Sequence, residues 1–474
     1  MIFGVFMIRC EQGLGFVVLK CSLTLCFRNG GISMCENIMK VLQECSKLNR
    51  PPITVLRDAS ICPQLLDIIM ELNIIVENLP LVSLMRPINL RTLEMWWKDE
   101  GTKGGCCPIN LKYNVGSLKK AANLYNVLQR MLESTRKITI ADGFNPASSI
   151  MREMVIRRIT GAIQNTKIAK AILEDKSSES TAKEVLVKYP DLEDWLLTEA
   201  ETVVGQLTEI AKKEKGVDIL LSHIKFDAPK LQKFFLSVLK AYGLRNWRVE
   251  LSKTRKIIST RYACLDRVPR IYIPIDLCVN AIEAMRLASH EIECHVLDTM
   301  NAMILTHGLC KLDNELLYEG KAIYSDVMID SRYLGKPWVL LKSSLLIIGI
   351  QMAKKGASFS EVAKIMFERL YDEFHYAYDK ATDEAFKIAV EIFYGCKKTS
   401  SNSDCYAFTR GAVYLRGYVG TYKLAEAGFY NYLMLGASTL EDLSAIVKHY
   451  SVDDLSNIPY VHHGLAEKII QQNL

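Results

Sequence analysis

Residues 288–297 read Ala288-Ser289-His290-Glu291-Ile292-Glu293-Cys294-His295-Val296-Leu297, and Glu319 follows 24 residues after the second histidine. Two neutral imidazoles and one carboxylate are the ligand set of a zinc ion that keeps a fourth position open for chemistry. A glutamate directly after the first histidine stands where a zinc-dependent hydrolase keeps its general base. How this stretch is wound therefore decides both the fold around it and what it can do.

The spacing is unusual. Histidines at i and i+4 share one face of a regular helix, but His290 and His295 are five apart. Five residues turn about 500°, which leaves the two rings roughly 140° apart. A single π-type turn would bring them back to one side, and such bulges occur at functional sites. The sequence thus predicts a local distortion between His290 and His295. Cys294 holds the i+4 position and is the competing partner for His290 on an undistorted helix. For the third ligand, Glu319 competes with Glu315 one turn earlier and with Asp326. Gly320 after it is read as allowing the metal helix to approach closely. Asp298, three residues after His295, is read as a surface carboxylate and left out of the site. Glu291 is the expected base, accepting a proton from water and passing it to a leaving amine. The pattern as a whole predicts a zinc-dependent peptide hydrolase.

A second cluster comprises Arg410, Tyr414 and Arg416. Arg410 and Tyr414 are four apart and would share a helix face. A guanidinium grips a carboxylate in a two-pronged fork, as an enzyme that releases a single C-terminal residue requires. A tyrosine hydroxyl could donate to a developing oxyanion. The plainer alternative, an amphipathic helix with arginines reaching to solvent and a core tyrosine, is the one favoured by these residues alone. Of the remaining histidines, His307, His375, His449, His462 and His463 lie apart from the constellation, and His223 carries no functional weight.

With these residues in view, the chain resembles the microtubule-associated tyrosine carboxypeptidases and their bacterial relatives. The resemblance rests on the His-Glu-x-x-x-His stretch, on Glu319-Gly320-Lys321-Ala322 where the family has Glu-Gly-Leu-Ala, on Tyr414-Leu415-Arg416-Gly417, and on Pro87-Ile88-Asn89 near its start. It spans roughly residues 80 to 474. It implies a thermolysin-like zinc-peptidase core, one zinc ion per chain on His290, His295 and Glu319, and removal of a C-terminal residue, tyrosine, from peptide or protein tails. It also implies tubulin tails as the partner. The chain departs from the family at Glu293-Cys294, usually Gly-Thr, at Tyr318, usually Gln or Glu, and at Arg410-Gly411, usually Lys-Asp. The ligands and base survive these changes. The rival reading is a non-catalytic zinc-containing binding protein, which would follow if Cys294 closed the fourth position.

Composition narrows the class further. The chain has 474 residues, 49% hydrophobic, enough for a large core. Its net charge of +6 is spread along the sequence, which argues against nucleic-acid binding. Fourteen cysteines without a Cys-x-x-Cys pair read as reduced, buried side chains of a cytoplasmic protein, with Cys106-Cys107 in a loop. The apolar run Gly15–Phe27 is too short to span a membrane and is expected to be a strand rather than a signal. Trp338–Met352 is also apolar; Lys342, Ser343, Ser344 and Gln351 are read as its polar side, making it a core helix.

Along the chain, helices are expected at Cys35–Leu48, Pro63–Leu72, 115–136 and 148–175, then beyond a polar break at 176–180 to about Ala211, with Asp227 capping the next. Trp247–Leu251, Ile257–Tyr262 and Arg270–Pro274 read as strands, the last as an edge strand lining a substrate cleft. Helices fill the rest. The expected fold is α+β, mostly helical, with a small antiparallel sheet lining the cleft. Residues 1–80 form an N-terminal segment of unassigned role. Residues 81–474 form the catalytic domain, divided into a helical part (81–245), a zinc-site core (246–335) and a C-terminal helical part (336–474).

Overall fold

The computed structural model describes residues 61–78, 87–105, 111–114, 117–140, 146–174, 178–213, 220–255, 257–261, 268–309, 315–396, 406–436, 439–450 and 460–472. The expected strand at 15–27, the helix at 35–48 and the Cys106-Cys107 loop lie outside them. Five helices come first: α1 (Pro63–Asn78), α2 (Leu90–Asp99), α3 (Ser117–Lys137), α4 (Pro146–Leu173) and α5 (Ser178–Lys188), followed by α6 (Asp194–Lys213). The expected segments at 115–136 and 148–175 lie within two residues of α3 and α4, α1 runs six residues past the expected Leu72, and helix resumes at Ser178 inside the polar run. Leu65, Ile69 and Leu72 of α1 pack with Leu128 of α3, Met154 of α4 and Leu443 further on in one apolar cluster.

Strand β1 (Lys225–Asp227) leads into α7 (Ala228–Ala241), where the Asp227 carboxylate accepts from the Lys230 amide at 2.8 Å and Pro229 fills the first turn, as read from sequence. Then come β2 (Arg248–Ser252), β3 (Ser259–Arg261), β4 (Arg270–Pro274) and β5 (Cys278–Asn280). β1 and β5 form an antiparallel pair, and the other three form a sheet of order β2-β4-β3. Two expectations are corrected here. The sheet is mixed, because β2 and β4 run parallel while β3 and β4 are antiparallel. And β4 is the central strand, not the edge. Pro274 is tolerated at its end because pairing continues with the next amide, from Ile275 to the Ser252 carbonyl at 3.0 Å. Ile271 and Ile273 of β4 are buried against α7 residues such as Phe235 and Val238.

A long helical rod follows: α8 (Ala281–Ala288), a π-helical stretch (Ser289–Val296) and α9 (Leu297–Leu305), continuous because Ala288 and Leu297 keep right-handed helical angles. The Asn280 side chain caps its start. Next are α10 (Glu315–Tyr333), α11 (Val339–Lys354), α12 (Phe359–Glu368), α13 (Tyr378–Ile392), α14 (Ala412–Glu426), α15 (Leu440–His449) and α16 (Leu465–Gln472). α11 is the centre of the largest core. Ser343 and Ser344, expected on a polar side, are buried with the leucines, and Ser343 donates to the Leu340 carbonyl at 3.0 Å. A helix enclosed on almost all sides needs no polar stripe. Among the described cysteines, Cys294 and Cys396 are buried as expected, whereas Cys278 on β5 is exposed. No described helix is long and apolar enough to cross a membrane.

Candidate metal centre

The π-helical stretch Ser289–Val296 supplies the distortion that the five-residue spacing demands. With it, the His290 and His295 rings come together, centroids 4.7 Å apart and mutually perpendicular. Glu319 of α10 completes the group, with one carboxylate oxygen 3.9 Å from His290 Nε2 and the other 4.0 Å from His295 Nε2. The three ligand atoms lie within 4.8 Å of one another. Two imidazoles and a carboxylate gathered around one point suit a divalent metal of the zinc type, so the donor set fits.

What surrounds each ligand explains its orientation. His290 Nδ1 bonds Asp326 Oδ2 at 2.9 Å, which leaves Nε2 to face Glu319. Burial disfavours a charged His290 ring, but Asp326, Glu291 and Glu319 outweigh it and raise its pKa to about 9. A metal bound there would displace a proton. Asp326 is thus the acceptor behind a ligand, not a candidate third ligand. It lies seven residues, two turns, after Glu319 on the same face of α10, a spacing from which this role could have been read. His295 is buried, and the Tyr318 ring stacks on it at 3.7 Å between centroids and 14° between planes. The family's Gln or Glu is here an aromatic lid over the second imidazole.

Cys294, the alternative ligand, is fully buried, its thiol directed at the Lys321 carbonyl at 3.7 Å; burial raises its pKa beyond the usual thiol range. It is not part of the metal cluster. The side chain of Glu315 lies outside the described residues. Asp298 corrects a further expectation: it is wholly buried and ion-paired with Lys321. Gly320 corrects another. A Cβ there would lie 2.4 Å from the Gly417 carbonyl, so the close approach it permits is to α14, not to the metal helix.

Glu291, next to His290, has its pKa raised by burial; His290 and a hydrogen bond from Thr260 act against that rise. Thr260 Oγ1 on β3 donates to Glu291 Oε2 at 3.2 Å. Among the described residues β3 pairs only with β4, so it, rather than β4, is the strand at the sheet edge beside this carboxylate. No sequence signal pointed to Thr260.

Glu293, one of the departures, is buried and accepts from the Tyr242 hydroxyl and the Leu465 amide, each at 2.6 Å. It thereby anchors the start of α16 to the metal helix. His462 reaches Ser289 Oγ at 3.1 Å and Ser325 Oγ at 3.3 Å, behind the ligands, while His463 is exposed and stacks on Tyr242.

The second cluster is divided. Arg410 lies in a 3-10 turn (Thr409–Gly411) ahead of α14, so it and Tyr414 do not share a regular helix. Both are partly buried. Arg416 bonds the Asp191 carbonyl at 3.0 Å and Glu193 at 2.5 Å, at the entry to α6.

The sequence model of a family described as microtubule-associated tyrosine carboxypeptidase matches residues 189–470, which include every residue of this centre. No curated protein matches the chain.

Proposed function

The chain belongs to the microtubule-associated tyrosine carboxypeptidase family and is a metallocarboxypeptidase; from that premise we propose that one zinc ion on His290, His295 and Glu319 serves removal of a C-terminal tyrosine from protein tails. The observation that carries this reading is the three-ligand cluster formed across a π-turn, with a half-buried glutamate adjoining its first histidine. When bound, zinc supplies a Lewis acid that polarises the scissile carbonyl and acidifies a neighbouring water.

The chain's own residues do the rest. Glu291 takes the proton of the attacking water and delivers it to the amine that departs. Its burial strengthens it as a base, and the Thr260 hydroxyl fixes one of its oxygens, leaving the other for water. Extended substrate adds as a strand along β3, which places the scissile bond near Glu291. Arg410 grips the terminal carboxylate and Tyr414 donates to the oxyanion. Arg416 is instead held by Glu193 and the Asp191 carbonyl. The family's description as microtubule-associated supports tubulin tails as the substrate.

The test is a peptide pair ending in tyrosine, one free and one amidated, followed by mass spectrometry. The account predicts release of one residue from the free form only, with Arg410→Ala erasing the difference between the two forms. Cuts distant from the end, or equal cleavage of both, would mean an endopeptidase and would remove Arg410 from the site.

A further inference from the structure

Lys321 stands where the resembling family has leucine, and it is 1% exposed. Its ammonium contacts the carboxylate of Asp298, itself wholly buried, and donates to the Leu433 carbonyl at 2.7 Å. The other Asp298 oxygen accepts the Gly436 amide at 3.1 Å. Burial drives the lysine toward its neutral form, while the adjoining carboxylate favours the charged one. Such a pair is poor evidence for stability, since desolvating two charges offsets most of their attraction. Its best-attested use is to specify one register among several.

The positions show which register. Asp298 is three residues after His295, and Lys321 is two after Glu319. The ion pair therefore joins the same two stretches of chain that the metal joins. Glu319 and Lys321 leave α10 about 200° apart, so the two contacts together constrain its rotation. Two other ties, Asp326 to His290 and Ser325 to Ser289, secure only the beginning of the π-helical stretch. At its far end, near His295, the Lys321–Asp298 pair is a buried charged tie to α10, beside the Tyr318–His295 stack and the Cys294 thiol at the Lys321 carbonyl.

We propose that Lys321 and Asp298 are positioning residues that fix the rotation of α10, and thereby hold Glu319 at metal-binding distance from His295. This rests on the reading of His290, His295 and Glu319 as metal ligands. Rotation of α10 that withdrew Glu319 would have to separate two buried charges, so the metal-free site stays preorganised.

The experiment compares wild type, Lys321→Met, and the double variant Lys321→Met/Asp298→Asn. The double variant removes both charges, and its new carboxamide keeps an oxygen for the Gly436 amide. Zinc affinity of the metal-stripped chains is read by competition with a chromophoric chelator, and folding by thermal unfolding of the same samples. The single variant should lose thermal stability and bind zinc at least ~10-fold more weakly, as for groups that orient a ligand from behind. The double variant should regain stability yet remain weaker by the same factor. Zinc binding by the double variant at wild-type strength would overturn the proposal, as would its failure to fold, since the pair would then serve stability. Absence of zinc binding by wild type would instead overturn the metal-site reading itself.

Discussion

Gly320 and Gly417 touch backbone to backbone: a Cβ on Gly320 would lie 2.4 Å from the Gly417 carbonyl, and one on Gly417 would lie 2.2 Å from the Leu316 carbonyl. The glycine after the third ligand and the glycine that closes Tyr414-Leu415-Arg416-Gly417 are one helix crossing. Two motifs separated by almost a hundred residues are thus two halves of one contact between α10 and α14.

Alanine at either position should therefore force the helices apart. Gly417→Ala and Gly320→Ala should each cost about 2–3 kcal/mol, as overpacking of a tight core contact does, with a fall of several degrees in Tm. Gly205 on α6 has open space around it and is the control. Gly205→Ala should be neutral or stabilising by up to about 1 kcal/mol. Equal effects at Gly205 and Gly417 in thermal denaturation would contradict the crossing.

The ligand assignment predicts a sharp contrast in metal content. His290→Ala, His295→Ala and Glu319→Ala should each strip the metal, while Cys294→Ala should retain it, because that thiol points at the Lys321 carbonyl. Asp326→Asn should weaken affinity by about 10–100-fold, having lost the acceptor behind His290. Metal analysis of the purified variants checks this. Loss of metal from the Cys294 variant with retention in the His295 variant would reverse the assignment.

Most of this centre was legible in the sequence, and the reasons differ by residue. The spacing of His290 and His295 predicts a π-turn because no regular helix lets both reach one ion, and the turn is there. Asp227 before a first-turn proline signals its cap through local geometry alone. Asp298 and Lys321 were illegible, since their pairing joins residues 23 apart through tertiary packing that no periodicity encodes. The same holds for β4. Its alternation shows a strand, but its central place depends on partners on both sides, and the parallel pairing to β2 is non-local. The four-residue spacing puts Arg410 on a helix that in fact begins at Ala412.

Glu199 gives a prediction in pH. Burial raises its carboxyl pKa to about 7, with Lys423 acting against the rise. Below the ordinary value of 4.5 both folded and unfolded chains hold the proton. As pH climbs from there toward 7, the unfolded chain releases it while the folded chain does not, so stability falls with rising pH. The loss is on the order of 1–2 kcal/mol once solvent screening is allowed for. Glu199→Gln should thus be near neutral at pH 5 and stabilising at pH 8 in denaturant titrations. The same difference from wild type at both pH values would contradict it.

The central claim is that Glu291 moves the proton for a metal held by its neighbours. Glu291→Gln keeps the shape of the side chain and removes the base. The decisive measurement is metal content and turnover of a tyrosine-ending peptide on the same preparation of that variant. The account predicts about one zinc per chain, as in wild type, with hydrolysis reduced at least ~10²-fold. Unchanged turnover with metal in place would contradict it.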